Sequence, residues 1–146
     1  MTDLSKNIQA LREKKAVVEM GGGEAAIEKQ IAMGKLTARD RILSLLDKNS
    51  FHEYDLFVKH DGRDFGMDKK DLPGDGVVTG TGTIFGAPVC IYAQDFTVAG
   101  GSLGLQHARK ITKIMDHALK MKCPIIGIND SGGARIQEGI CALAGY

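Results

Sequence analysis

Apolar positions recur at helical spacing in the first third of the chain, alternate or run together in the middle, and return to helical spacing before the end. Leu4, Ile8, Leu11 and Val18 fall on one side of a helix over about Leu4–Met20, and Gly21-Gly22-Gly23 stops it. A second helix is predicted from about Glu24 to Met33, ended by Gly34, and Thr37 can cap a third through Ile42, Leu43 and Leu46. From Phe51 to Phe57 the pattern turns strand-like, and His60 to Asp75 reads as polar loop. Val77–Ile84 and Pro88–Asp95 are two β runs around Phe85-Gly86-Ala87, a hairpin. An amphipathic helix then carries Ala108, Ile111, Met115, Ala118 and Leu119 on one face. Pro124 ends it, and Ile125–Ile128 is a strand. Strand, helix, strand at this spacing calls for a right-handed crossover and parallel pairing. The second half is therefore α/β, behind a basic helical arm.

The last strand breaks into Asn129-Asp130-Ser131-Gly132-Gly133-Ala134-Arg135, with a helix expected to begin near Ala134. A strand, a glycine turn and a helix start aim backbone N–H groups, at a helix's positive end, beyond the sheet. Gly132 and Gly133 lack Cβ atoms, so a ligand carbonyl can approach their amides and gain an oxyanion site. A simple turn from strand to helix is the alternative. Gly100-Gly101-Ser102 is a second loop before a helix, either an anion site or a tight βα turn. Arg135 can clamp a phosphate or pair with Glu138. The basic arm, with Lys14, Lys15, Lys29, Lys35, Arg39 and Arg41, suits either a solvated face or a polyanionic group.

Composition narrows the classes. With 146 residues, 43% hydrophobic and 25% charged, the chain fits one ordinary globular domain. A formal charge of +1 gives no general attraction to nucleic acid. The N-terminus has no apolar centre of a secretory signal, and no apolar stretch is long enough to span a bilayer. Cys90, Cys123 and Cys141 show no paired spacing, which favours free thiols in a reducing cytoplasm and disfavours zinc; the histidines have no metal spacing either. The spacing of Gly80, Gly82 and Gly86 is wrong for a dinucleotide motif, and no Gly-Lys-Ser/Thr marks a P-loop. Asp130-Ser131-Gly132-Gly133 superficially matches the nucleophile segment of trypsin-like proteases, but a βαβ unit is no setting for that triad. The apolar ending through Tyr146 reads as an interrupted helix and suggests a larger protein cut short.

The ordered segments carry a resemblance. Gly21-Gly22-Gly23-Glu24, Ile27-Glu28-Lys29-Gln30, Gly34-Lys35-Leu36-Thr37-Ala38-Arg39, Pro73 to Gly80, Gln94 to Val98 with Gly100 to Gly104, and Asn129 to Gly139 closely resemble the N-terminal part of the acyl-CoA carboxyltransferases. That family includes the propionyl-CoA carboxylase β subunit and the carboxyltransferase subunit of methylmalonyl-CoA decarboxylase. The resemblance implies a ClpP/crotonase-like fold of repeated ββα units: residues 1–50 as a helical arm and 51–146 as the first part of an N-terminal crotonase-like domain. It implies transfer of a carboxyl group between N1 of biotin and the α-carbon of an acyl-CoA, through an enolate held by backbone amides. Gly132 and Gly133 match the oxyanion motif; Ser131, Ala134, Gly100, Gly101, Ser102, Lys35 and Arg39 are weaker candidates for the coenzyme A site. Biotin would ride on a separate carrier protein or domain. The implied partners are that carrier, biotin carboxylase or membrane decarboxylase subunits, and further copies of the chain, in the cytoplasm. Two other readings stand beside it: a non-catalytic piece that packs or docks, and an enoyl-CoA hydratase-like enzyme using Glu138 as its base.

Overall fold

The computed structural model describes residues 3–146. Three helices come first, α1 (Asp3–Glu19), α2 (Glu24–Ala32) and α3 (Ala38–Leu45). Thr37 caps α3 as expected, its hydroxyl accepting from the Asp40 N–H. The sheet follows in the order β1 (His52–Tyr54), β2 (Val77–Ile84), β3 (Ala87–Gln94) and β4 (Ile125–Ile128), with α4 (Leu105–Met121) crossing between β3 and β4. β1–β2 and β2–β3 are antiparallel, while β3 and β4 run parallel, Cys90 opposite Ile125 and Ala93 opposite Ile128. The hairpin and the parallel crossover thus form where the apolar pattern placed them.

Alternation along β3 divides the core between the two faces of the sheet. Val89, Ile91 and Ala93, with Val78 of β2, bury against Ala38, Ile42 and Leu46 on one face. Cys90 and Tyr92 point the other way, toward Ile114 and Ala118 of α4. The third helix therefore belongs to the core by its packing. In contrast, α1 buries none of its residues, and Leu4, Ile8 and Leu11 lie 69%, 43% and 55% exposed, so its apolar side finds no partner among the described residues.

Two expectations from periodicity are corrected. The buried face of α4 holds His107, Ala108, Lys110, Ile111, Ile114 and Ala118, leaving Met115 and Leu119 outside. Polar residues take inward positions there because the Pro73–Gly76 turn offers them carbonyls: the Lys110 Nζ donates to the Gly74 and Val77 oxygens at 2.7 and 2.5 Å. Burial lowers the pKa of that ammonium to about 8. The second correction lies after β4. Instead of an α-helix starting near Ala134, Ile136–Leu143 forms tight 3₁₀ turns kinked at Gly139, so no aligned macrodipole backs the glycine pair.

Candidate functional site

The ends of β3 and β4 leave the sheet side by side and open into two glycine loops that interlock. A parallel bridge joins Leu103 to Ala134, with the Leu103 N–H donating to the Gly133 carbonyl at 2.9 Å and the Arg135 N–H to the Leu103 carbonyl at 2.8 Å. The Gly132 N–H donates to the Gly100 carbonyl at 2.9 Å. The Gly132 amide is thus engaged by the protein's own backbone and braces one loop on the other. The Gly133 N–H donates to the Ser131 hydroxyl at 3.1 Å, a rotatable partner. Among the described residues, no acceptor meets the N–H of Ala134. Ser131 through Ala134 are all exposed. Two successive amides at the end of β4, Gly133 and Ala134, are thus the ones a ligand oxygen can recruit.

Gly133 has φ of +113°, a conformation that a side chain resists. Gly101, at φ +60°, presses against the Asp130 carbonyl so closely that a Cβ there would collide with it. Gly100, Gly101 and Ser102 therefore act as the floor on which the Asp130–Ala134 segment rests. They reach the site by packing.

A continuous set of buried polar contacts fixes these loops from beneath. Gln94, the last residue of β3, accepts from the Asp130 N–H through Oε1 at 3.1 Å. Its Nε2 meets the Nε2 of His107 at 3.2 Å, and the Nδ1 of His107 meets the Asp75 carbonyl at 2.8 Å. An amide nitrogen donates and a carbonyl accepts, so these contacts select the neutral imidazole with its proton on Nδ1. Burial favours the same form, lowering the pKa of His107 to about 4. The Asp75 carboxylate accepts from the His107 backbone N–H at 2.8 Å and from Arg135. Arg135 also holds Glu138 at 2.7 Å and the Ser102 carbonyl at 3.0 Å, and the second Glu138 oxygen takes the Leu105 N–H at 2.8 Å.

Above the loops, Asp130 gathers the arm. Lys35 reaches its Oδ1 at 3.1 Å and Arg41 its Oδ2 at 2.8 Å. Burial pushes the Asp130 carboxyl up, but these two cations overcome it and hold it below the usual range. Lys35 also lies over the Phe96 ring, 5.0 Å from its centroid.

Residues 29–146 match the family model described as the carboxyl transferase domain. The chain belongs to that family. It is 60% identical over 146 residues to methylmalonyl-CoA decarboxylase subunit alpha of Veillonella parvula, covering all of this chain and 29% of that protein. It is 55% identical over 140 residues to the mitochondrial propionyl-CoA carboxylase beta chain of Homo sapiens, covering 94% of this chain and 26% of that one. The transcarboxylase 12S hexamer structure, with methylmalonyl-coenzyme A and methylmalonic acid bound, superposes with a TM-score of 0.97 at 49% identity over 100% of this chain and 29% of its own. The chain spans under a third of the length of these relatives, and its fold is that of the crotonase-like carboxyltransferases.

Within that carboxyl transferase frame, several sequence candidates change role. Arg39 forms a two-pronged pair with Glu53 at 2.6 and 2.8 Å and also donates to the Glu19 carbonyl, so it ties α3 to β1 and α1. Arg135 pairs with Asp75 and Glu138 out of solvent, which removes it as a phosphate clamp. Both oxygens of Glu138 are engaged, so it is no free base of the hydratase kind. Lys14, Lys15 and Lys29 lie exposed on α1 and α2, and Lys35, paired with Asp130, stays half exposed beside the glycine loop. Gln94, His107 and Asp75 escaped the sequence reading. Gln94 and Asp75 stand inside the segments that carry the resemblance and His107 at an inward position of α4, but none of these signals names a partner.

Proposed function

We propose that this chain forms the acyl-CoA side of a biotin-dependent carboxyltransferase acting on propionyl- or methylmalonyl-CoA. The observation that carries the reading is the pair of recruitable amides, Gly133 and Ala134, at the end of β4, in a chain whose solved relative is described with methylmalonyl-coenzyme A bound. An α-carbon that gains or loses a carboxyl group passes through a thioester enolate, whose negative charge gathers on the carbonyl oxygen. Amides held rigidly against that oxygen lower the barrier, each by about 3 kcal/mol or roughly 10²–10³ in rate. Gly132 serves by bracing, Ser131 by releasing the Gly133 N–H as its hydroxyl turns, and Lys35 by offering a cation to the coenzyme A phosphates.

Biotin, on a separate carrier protein or domain, would supply the carboxyl group and a basic nitrogen. Residues 51–146 would contribute the first part of the crotonase-like domain, with residues 1–50 as the helical arm. Homo-oligomeric assembly, a biotin carrier with its carboxylase or membrane decarboxylase partners, and a cytoplasmic setting belong to the same reading. Support for assembly is that the related transcarboxylase 12S is described as a hexamer. Among the described residues no helix is long and apolar enough to cross a membrane.

The test is carboxyl transfer from methylmalonyl-CoA to free biotin by the protein carrying this chain, with Gly133→Val as the variant. Loss of transfer with retained fold is expected. Full transfer by Gly133→Val would defeat the assignment.

A further inference from the structure

The cysteines, without paired spacing in the sequence, are brought together by the parallel crossover. Cys90 lies on β3 facing α4, and Cys123 sits in the link between α4 and β4, with their sulfurs 3.7 Å apart. Cys90 is buried, Cys123 half-buried, and Cys141 stands apart on the surface. We propose that Cys90 and Cys123 are a thiol–disulfide modification site, closing to an intramolecular disulfide that staples β3 to the α4–β4 link.

Bond formation brings the sulfurs to about 2.05 Å, a closure of roughly 1.7 Å from their present spacing. The link can supply that movement. Cys123 lies outside any strand, and its backbone is held by its N–H to the Ala118 carbonyl, after Lys122 has turned the chain through a left-handed conformation. Cys90 is held firmly, in the β3 ladder and by its N–H to the Pro124 carbonyl at 2.9 Å. One sulfur is therefore held within a strand and shielded, and the other lies in a link and is partly open to solvent. Tyr92, Ile114, Ala118 and Ile125 pack around the pair and give it an apolar wall. Burial accordingly pushes the Cys90 thiol up to about 11.

This asymmetry sets the order of events with a low-molecular-weight disulfide as oxidant. The Cys123 thiol loses its proton and attacks one sulfur of the oxidant, expelling one small thiol and leaving a mixed disulfide. Cys90 then loses its proton and attacks the Cys123 sulfur, forming the internal bond and expelling the second small thiol. Two protein thiols are oxidised and one small disulfide is reduced to two thiols. This chemistry is independent of the carboxyl-transfer reading, because Cys90 lies in the middle of β3 and Cys123 before the start of β4, whereas the glycine loops follow the far ends of both strands.

The experiment is equilibration of the chain with glutathione disulfide, followed by acid quenching, thiol titration in denaturant and peptide mapping. The expected result is loss of the Cys90 and Cys123 thiols with Cys141 still alkylatable, one cross-linked peptide pair, and a melting temperature several degrees higher than in the reduced chain. Cys90→Ala should stop at the mixed disulfide on Cys123, which shows that Cys90 resolves it. A wild-type mixed disulfide that persists on Cys123, a cross-link through Cys141, or thiols that stay reduced at every glutathione ratio would each overturn the proposal. If Cys90→Ala fails to fold, Cys123→Ser carries the test: it should leave Cys90 unmodified, and glutathionylation of Cys90 there would count against the assigned order.

Discussion

Arg135 and Asp75 form an ion pair with both side chains withdrawn from water, 2% and 0% exposed. The pair joins the segment after β4 to the turn before β2, and the Glu138 and Ser102 contacts of Arg135 draw in both glycine loops. Burial raises the Asp75 carboxyl and Arg135 opposes that effect. Arg135→Met leaves the carboxylate uncompensated, and removing one partner of a buried pair costs about 3–5 kcal/mol. Urea denaturation should show this loss. Asp75→Asn, which keeps an acceptor for the His107 N–H, should cost less than Asp75→Ala.

His107 predicts a pH dependence. Its folded pKa, about 4, lies below the ordinary 6.5, so the unfolded chain binds the proton first as pH falls. Its contribution to stability is complete above about pH 6.5 and declines as pH drops toward 4, by about 3 kcal/mol. Denaturation midpoints between pH 7 and 4 should fall accordingly. His107→Gln should flatten that slope, whatever it does to stability at neutral pH.

Gln94 holds the glycine segment to the sheet through the Asp130 N–H. Gln94→Leu leaves that donor and the His107 Nε2 without partners, at a cost of about 1–3 kcal/mol. Amide hydrogen exchange is the direct readout: the Asp130 N–H should exchange faster by at least tenfold, while amides in the middle of β2 keep their protection.

The two adjacent glycines should respond unequally. A Cβ at Gly132 would sit 3.6 Å from the Gly100 carbonyl, an ordinary contact, so Gly132→Ala should leave transfer within a few-fold of the parent. At Gly133 there is room, but φ of +113° makes any side chain unfavourable, so Gly133→Ala should turn the amide away and lower transfer by about 10². Replacing Ala134 by lactic acid, an ester without the N–H, should lower it by about 10²–10³. Equal losses at Gly132 and Gly133 would contradict the different duties given to their amides.

The course of the sheet was legible in the sequence because apolar residues bury wherever backbone periodicity allows. Val77–Ile84 and Ile125–Ile128 form the strands expected of them, and the crossover through α4 is parallel as its spacing required. The inward side of α4 was not legible, since His107 and Lys110 count as polar until a distant carbonyl is found for each. Gly132 and Gly133 look identical in sequence. What separates them is the Gly100 carbonyl, placed by a loop that follows another strand. The pairing of Arg39 was not legible either, since Glu53 lies on a strand that the arm's own pattern does not place beside it.

Lys110 gives the Pro73–Gly76 turn a cation to close around, as an ion-binding loop closes around its metal. Gly74 and Val77 can offer their oxygens to it only once α4 has docked. Turn and helix should therefore become ordered in a single cooperative step, and a protease able to cut between Leu72 and Val77 would report directly on the departure of α4.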